Sequence, residues 1–430
     1  MKRAWGRFVV VWAAGVAGAL AAPADAAGGE SAPWVRELPG DANPFVQLLP
    51  ALRTAPTPAW VRRGTRITYY SSSAIVIGAR EYYVRDEDGN WKDQHGNHYR
   101  KERGGDGTGG HGYTQVNVAA LDRQRAVLDI RMYSFVDAST SRPPMQFGAG
   151  SALALPGAGA DYWLSPRVLR QVGEGRFDGT RIVRMPYTVG GKTYRALRFQ
   201  YERKGARIVH VFDLETGLLL HSNSATDVQG LTPTTPGRAE MGSTRQMLTQ
   251  STYVGHRDVP IPWSRRAGAR WPAGLRRLRY DGSTTVSVPG CMPVSLPVRA
   301  SSTVSRRGAD WAQYTFTVSV NGGYGLPPNT RRSERVSGLG QFGAIWVPPA
   351  ALAALRAGQV LDRDPLTQVV TSVSHAGPAL GLGRVVAVSE SNAVQRLDYT
   401  YDAASGLLVA YGQVDGPLHM RTQMTLADQR

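Results

Sequence analysis

The chain has 430 residues, 42% of them hydrophobic, 19% charged and 9% aromatic, which is enough apolar material for two or three packed domains and excludes a disordered chain. A single cysteine, Cys291, excludes an intramolecular disulfide framework, a thiolate zinc cluster and an attached c-type haem. The formal net charge of +17 is carried by 45 arginines and only five lysines, and 49 glycines with 27 prolines point to turn-rich β structure.

Lys2, Arg3 and Arg7 form a basic segment, residues 8–20 an apolar one, and Ala24-Asp25-Ala26 a small-x-small cleavage site, so residues 1–26 read as an export signal. The mature protein is expected in the periplasm or outside the cell. The apolar segment is too short to span a bilayer and no later window approaches about 18 uninterrupted apolar residues, so no transmembrane segment is expected. No cysteine follows it to carry a lipid anchor. Cleavage removes three cations and Asp25 and leaves +15. Residues 27–57, with Pro33, Pro39, Pro44, Pro50 and Pro56, read as a tether with a helical turn at Phe45 to Leu52.

Beyond the tether the chain repeats itself. Trp163, Pro166, Leu169, Val172 and Gly175 match Trp346, Pro349, Leu352, Leu355 and Gly358 at an offset of 183. Residues 212–219 match 401–408 at 189, and Met247, Thr249, Gln250, Thr252 and Arg257 match Met420, Thr422, Gln423, Thr425 and Arg430 at 173. Ile67 and Tyr69 match Leu278 and Tyr280 at 211. Four blocks in one order indicate duplication. The falling offset places about 28 surplus residues in the first copy near Asp86 to Gly112, and about 16 more within Ala225 to Ser243.

In each copy Ser165 or Pro348 stands at an N-cap and Pro166 or Pro349 at the first helical position, which predicts a helix of about ten residues. Arg198 to Tyr201 and Arg207 to Phe212 bracket a Lys204-Gly205 turn, and Asp213 to Gly217 turns the chain into Leu218 to Ser222. Leu128, Ile130 and Met132 alternate with Asp129, Arg131 and Tyr133, the pattern of a half-buried strand. Pro260 and Pro262 mark a linker. The expected organisation is a first domain at 58–257 with a polar insertion at about 86–112, a linker at 258–267 and a second domain at 268–430. The expected class is mainly β: two tandem duplicated domains, each a curved antiparallel sheet with one short helix.

The polar insertion holds His95, His98 and His111 beside Asp86, Asp88, Asp93 and Asp106, ligand types that suit zinc, copper or nickel. The competing reading is two hairpin turns, Asp88-Gly89-Asn90 and His95-Gly96-Asn97, before a glycine-rich stretch. Apart from a metal at that insertion, no cofactor is expected. Gly338, Gly340 and Gly343 spell a dinucleotide fingerprint without the preceding buried strand or the following helix it needs. No serine-elbow, zinc-protease or phosphate-loop motif occurs, so no catalytic residue is assigned. Trp163 and Trp346, matched before the two helices, read as core anchors rather than ligand-groove residues. Tyr69, Tyr70, Tyr82, Tyr83, Tyr194 and Tyr201 could form an aromatic sheet face.

Tandem sheets with a hairpin and a short helix are similar in outline to periplasmic lipid and lipoprotein carriers, whose curved sheet covers an apolar groove. Duplicated β domains, an export signal and no catalytic signature lead to the expectation of an exported, non-catalytic binding or carrier protein for an anionic or amphipathic envelope ligand. The alternatives are an accessory protein docking on another envelope component, and a metal-dependent or hydrolytic enzyme using the histidine-rich insertion. The expected partner is an anionic lipid, glycan or acidic protein, because guanidinium pairs bidentately with carboxylate and phosphate. Nucleic acid is not an expected partner outside the cytoplasm.

Overall fold

The computed structural model describes residues 35–37, 43–77, 80–85, 91–92, 98–104, 107–135, 141–203, 206–228, 238–239, 245–265, 269–287, 292–321, 329–417 and 419–429. The export signal, His95, Cys291 and the Lys204-Gly205 turn lie outside the described residues. Ahead of the repeats stand β1 (Val35–Glu37), α1 (Pro44–Leu48) and a 3-10 turn over Pro50–Arg53. Asn43 caps α1 by accepting the Phe45 amide at 2.9 Å, and Pro44 opens the helix where its missing N–H costs nothing. Phe45, Val46 and Leu52 are buried, so this part of the expected tether is packed into the protein.

The first repeat runs β2 (Thr65–Ile77), β3 (Arg80–Arg85), β4 (Trp91–Lys92), β5 (His98–Gly104), β6 (Gly107–Leu121), β7 (Ala126–Ser134), β8 (Met145–Ala154), α2 (Pro166–Leu169), β9 (Gly175–Phe177), β10 (Thr180–Val189), β11 (Lys192–Arg203), β12 (Ala206–Asp213), β13 (Leu219–Val228), β14 (Arg238–Ala239) and β15 (Arg245–Asp258). The second runs β16 (Arg277–Val286), β17 (Val294–Arg307), β18 (Trp311–Val320), β19 (Asn329–Gly338), α3 (Pro349–Leu352), β20 (Val360–Arg363), β21 (Val370–Ala379), β22 (Leu382–Ser391), β23 (Gln395–Asp402), β24 (Leu408–Asp415) and β25 (Met420–Gln429).

Each repeat builds one large sheet. The first has the order β1-β8-β7-β6-β2-β15-β13-β12-β11-β10-β9 and the second β19-β18-β17-β16-β25-β24-β23-β22-β21-β20. With β1 set aside, the two orders coincide strand for strand, which is the duplication expressed as topology. The protein is therefore mainly β, with two similar repeats that each carry an antiparallel sheet and one short helix. The two surplus stretches of the first repeat meet in a separate four-stranded sheet, β14-β3-β5-β4, where Arg238 and Ala239 pair with Val84 and Tyr83.

Both helices are four residues long rather than the expected ten. Their following carbonyls are taken by arginine side chains instead of further helical turns. Arg184 Nη2 donates to Arg170 O and Val172 O at 3.1 and 2.7 Å, and Arg384 donates to Ala353 O and Leu355 O at 2.9 and 2.6 Å. Those carbonyl pairs are themselves 183 residues apart, so the two helix ends are held in equivalent ways. Ser165 stands at the expected cap, but its buried Oγ makes no hydrogen bond there, and Pro348 has no side-chain donor or acceptor to cap with.

Compactly packed residues form two units. One comprises the described parts of Met1–Thr68, Tyr113–Ser165 and Gly255–Arg430, and the other those of Tyr69–Gly112 and Pro166–Val254. The second repeat lies wholly in the first unit, whereas the first repeat contributes to both, so compactness cuts across the boundaries at 257 and 268. The core of the first unit includes Trp263, Phe342, Trp346 and Tyr401, with Trp263 edge-on to Phe342 at 5.7 Å. Val259, Ile261 and Trp263 of the expected linker belong to that core, while Pro260 between them is exposed. Prolines there punctuate strands without freeing the chain, because the apolar residues between them need cover. The second unit is packed around Ile182, Leu197, Phe199, Phe212 and Leu220.

Candidate functional site

In β7 both faces are buried over Ala126 to Asp129, Leu128 included, but beyond it the polar face is the covered one. Arg131 and Tyr133 are buried with Asp129, while Ile130 and Met132 are only half-buried. A buried charge needs partners, because desolvating it alone is costly. Arg131 finds them on two sides: its Nη1 donates to both Glu390 oxygens at 2.7 and 2.8 Å, its Nε to Asp129 Oδ2 at 3.0 Å, and its Nη2 to Phe342 O at 2.9 Å. Burial works against the guanidinium charge, but Glu390 and Asp129 more than compensate and hold the pKa above its ordinary value.

The network continues through the interior of the same unit. Asn117 Nδ2 donates to Asp129 Oδ2 at 3.0 Å, and Arg66 Nε donates to Asn117 Oδ1 at 2.7 Å. Arg66 Nη1 reaches Asp364 Oδ2 at 3.0 Å, which also accepts from Gln115 and Arg257. Arg257 in turn clamps Asp362 through two 2.7 Å bonds. Burial raises the Asp364 pKa, but Arg66, the Thr367 amide and Arg257 outweigh it and leave the carboxyl well below the usual range. Residues 66, 117, 129, 131 and 257 come from the first repeat and 362, 364 and 390 from the second, so one chain of charge-assisted bonds ties the repeats together.

Against the Arg131 end of this network lies a cavity of about 150 Å³ within the first unit. Tyr280, Tyr314, Tyr399 and Tyr411 line it from the second sheet, Asp129, Arg131 and Gln146 from β7 and β8, and Arg335 and Gly343 close it. All four tyrosines have raised pKa values, in each case mainly because burial disfavours the phenolate, so they remain neutral hydroxyls at ordinary pH. Tyr280 Oη donates to Leu408 O at 3.0 Å and Tyr411 Oη to Gln413 Oε1 at 2.9 Å. Tyr314 and Tyr399 are only 6% and 7% exposed, and their hydroxyls have no hydrogen-bond partner among the described residues. The amide oxygen of Gln146 is buried without a partner as well. Arg335 lies over the Phe316 ring at 4.5 Å.

The glycines that spell the dinucleotide fingerprint have packing roles here. A Cβ on Gly340 would stand 2.2 Å from Val118 O, and one on Gly343, whose φ is +76°, would stand 2.6 Å from the Tyr399 ring. Gly343 thus lets the Tyr399 ring lie flush against the backbone at the cavity wall.

The histidine candidates are less developed. His95 lies outside the described residues, His98 opens β5 opposite Lys92, and His111 sits on β6 with its ring 6.1 Å from Tyr70. Among the described residues no group of three histidine, cysteine or acidic side chains is placed to hold a metal ion. Trp163 and Trp346 are core residues, their indole nitrogens donating to Pro156 O and Ser405 O. The aromatic cluster at the cavity consists of second-repeat tyrosines, not the first-repeat set singled out from the sequence. Tyr69 and Tyr280, a matched pair, are both buried.

The site thus belongs to a mainly β protein of two repeated sheets, and its cavity is built chiefly on the second. No family model and no curated protein matches the chain. Among solved structures it is similar to a protein of unknown function of the DUF3598 family from Nostoc punctiforme, at 11% identity over 85% of this chain and 96% of that one. The TM-score of that pair is 0.13, so the likeness carries no argument.

Proposed function

We propose that this is an exported, periplasmic, non-catalytic binding or carrier protein for an anionic or amphipathic envelope ligand, and that the cavity beside Arg131 receives the ligand's polar end. The observation that carries this reading is a pair of cavity-lining tyrosines, Tyr314 and Tyr399, whose hydroxyls have no protein partner among the described residues. A hydroxyl on a largely buried ring that bonds no protein group is free to donate to an outside acceptor, and two of them line this one cavity. A volume of about 150 Å³ is the size of space known to admit a benzene-sized group. Around it, Arg335 supplies positive charge, Arg131 being already paired with Glu390 and Asp129, and Phe316, Leu397, Leu408 and Met424 supply apolar wall.

The test is calorimetric titration of the mature protein with dodecanoate and, separately, dodecanol. Saturable one-to-one binding is expected, with dodecanoate the tighter ligand because of Arg335. In a Tyr314→Phe, Tyr399→Phe double variant, affinity should fall by about tenfold, the equivalent of about 1.4 kcal/mol for lost hydrogen bonds. Folding stability should hold, since neither hydroxyl bonds to the protein. Absence of saturable binding of either probe, or binding indifferent to the two hydroxyls, would overturn the reading.

A further inference from the structure

A second surface is built into β9 to β12 of the other unit. In antiparallel ladders, residues opposite one another share a face. On one face Ile182, Leu197, Phe199 and Phe212 form the unit's core. On the opposite face the register sets Arg176 across from Arg181, Arg181 from Gln200, Val183 from Arg198, and Val189 from Lys192. Arg207, opposite Glu202, adds a fifth cation. Arg176, Arg181, Lys192 and Arg207 are exposed. Among the described side chains of this face in those strands, the acids are Glu202, 3.9 Å from Arg207, and Asp213, which is buried and holds the Thr216 turn. Half-buried Val183, Met185 and Val209 and the cross-strand pair Tyr187 and Tyr194 lie between the cations; of the same face Ala196 and Val211 are buried, and half-buried Arg198 donates to Gln200 Oε1 at 2.9 Å.

The duplication supplies a comparison within the molecule. Leu214 N bonds Arg195 O where Ala403 N bonds Arg384 O, which aligns these strands at an offset of 189. At that offset Arg198, Gln200 and Val209 correspond to Ala387, Ser389 and Asp398, and the ladders agree, since Gln200 pairs with Val209 and Ser389 with Asp398. Arg207 corresponds to Arg396, but Arg396 Nε is held by both Asp398 oxygens at 2.9 Å. The same ladder is therefore small and charge-paired in one repeat, and cationic and apolar in the other. The fold does not require the second composition.

We propose that this face docks on the anionic surface of a phospholipid bilayer. The cations match lipid phosphates, and the valines, methionine and tyrosines between them match the interfacial zone into which such side chains partition. An acidic polysaccharide or protein would use the cations and leave the apolar set without a role. The docking does not depend on what the cavity holds.

The mature protein is sedimented with vesicles of phosphatidylcholine alone and with one-third phosphatidylglycerol, at about 0.05 M and about 0.5 M salt. Binding is expected only to the anionic vesicles and should weaken at high salt. Each cation near such a surface is worth about fivefold in partitioning, so Arg181→Gln, Lys192→Gln, Arg198→Ala together should cost about a hundredfold. The last of these substitutions installs the residue the second repeat already carries. Arg277→Gln, Arg279→Gln, Arg421→Gln, exposed cations of the other sheet, remove the same charge and should leave binding within a few-fold. Equal loss in both triples, equal binding to both vesicles, or binding to an acidic polysaccharide but to neither vesicle would overturn the proposal. Dodecanoate binding that survives the first triple separates this surface from the cavity.

Discussion

At the scale of single residues, Arg131 is held in the interior by four hydrogen bonds. It neutralises Glu390 and Asp129 in the interior, so replacing it with an isosteric apolar residue strands two carboxylates without their cation. Arg131→Met is expected to lower the unfolding free energy by about 3–5 kcal/mol, the usual cost of breaking a buried pair from one side. Adding Glu390→Gln should recover part of that loss, because a neutral amide is cheaper to bury than an unpaired carboxylate. Urea denaturation of the single and double variants measures both terms. If the double variant is less stable than Arg131→Met, the ion pair is not the dominant interaction at this position.

At the scale of elements, the two repeats close the same hairpin with the same chemistry. Asp213 accepts from the Thr216 amide and hydroxyl, and Asp402 accepts from the Ser405 amide and hydroxyl. Gly217 and Gly406 follow, with φ of 75° and 76°. The environments differ: Asp213 is 2% exposed and Asp402 is not buried. Asp213→Ala should therefore cost about 1–3 kcal/mol, since it removes a buried acceptor from half-buried donors, and Asp402→Ala about 0.5–1.5 kcal/mol. Thermal unfolding of the two variants compares them directly. Equal costs would mean that burial does not set the strength of this turn.

At the scale of the whole molecule, buried titratable groups limit stability at both ends of the pH scale. The Asp364 carboxyl is held below its ordinary range in the folded state. Its contribution is complete above the unfolded value near 4 and is lost as pH falls below it. The tyrosines shift the other way. Burial pushes Tyr133 up to about 12, with Arg131 pulling it partly back, and Tyr280, Tyr314, Tyr399, Tyr401 and Tyr411 are raised as well. Their stabilisation is complete below an unfolded value near 10 and disappears as pH climbs from there toward 12. In an alkaline titration, phenolate absorbance for these six should therefore appear together with loss of structure rather than ahead of it. Asp364→Asn should flatten the acid limb and leave the alkaline limb in place. Early, gradual ionisation of all the tyrosines in folded protein would contradict the burial that defines the cavity.

The mainly β class, the order of the repeated blocks and the residues of the matched helix starts were legible in the sequence because they rest on local signals: proline and glycine positions, strand alternation and self-similarity at a fixed spacing. Helix length was not, because arginines distant in sequence take the carbonyls that would otherwise have continued each helix. The inward face of β7 was not either. Alternation tells two faces apart, but which one is covered depends on what packs there, and Glu390 stands 259 residues from Arg131. The cavity has the same origin. Its tyrosines are ordinary strand residues one by one, and only the pairing of the second sheet with β7 and β8 brings them around one cavity, two of them with hydroxyls that no described residue bonds. The sequence by itself determined which segments are strands and that they occur twice. The tertiary structure decided which polar groups are buried together, because the cost of desolvating a charge or a hydroxyl depends on neighbours the chain brings from far away.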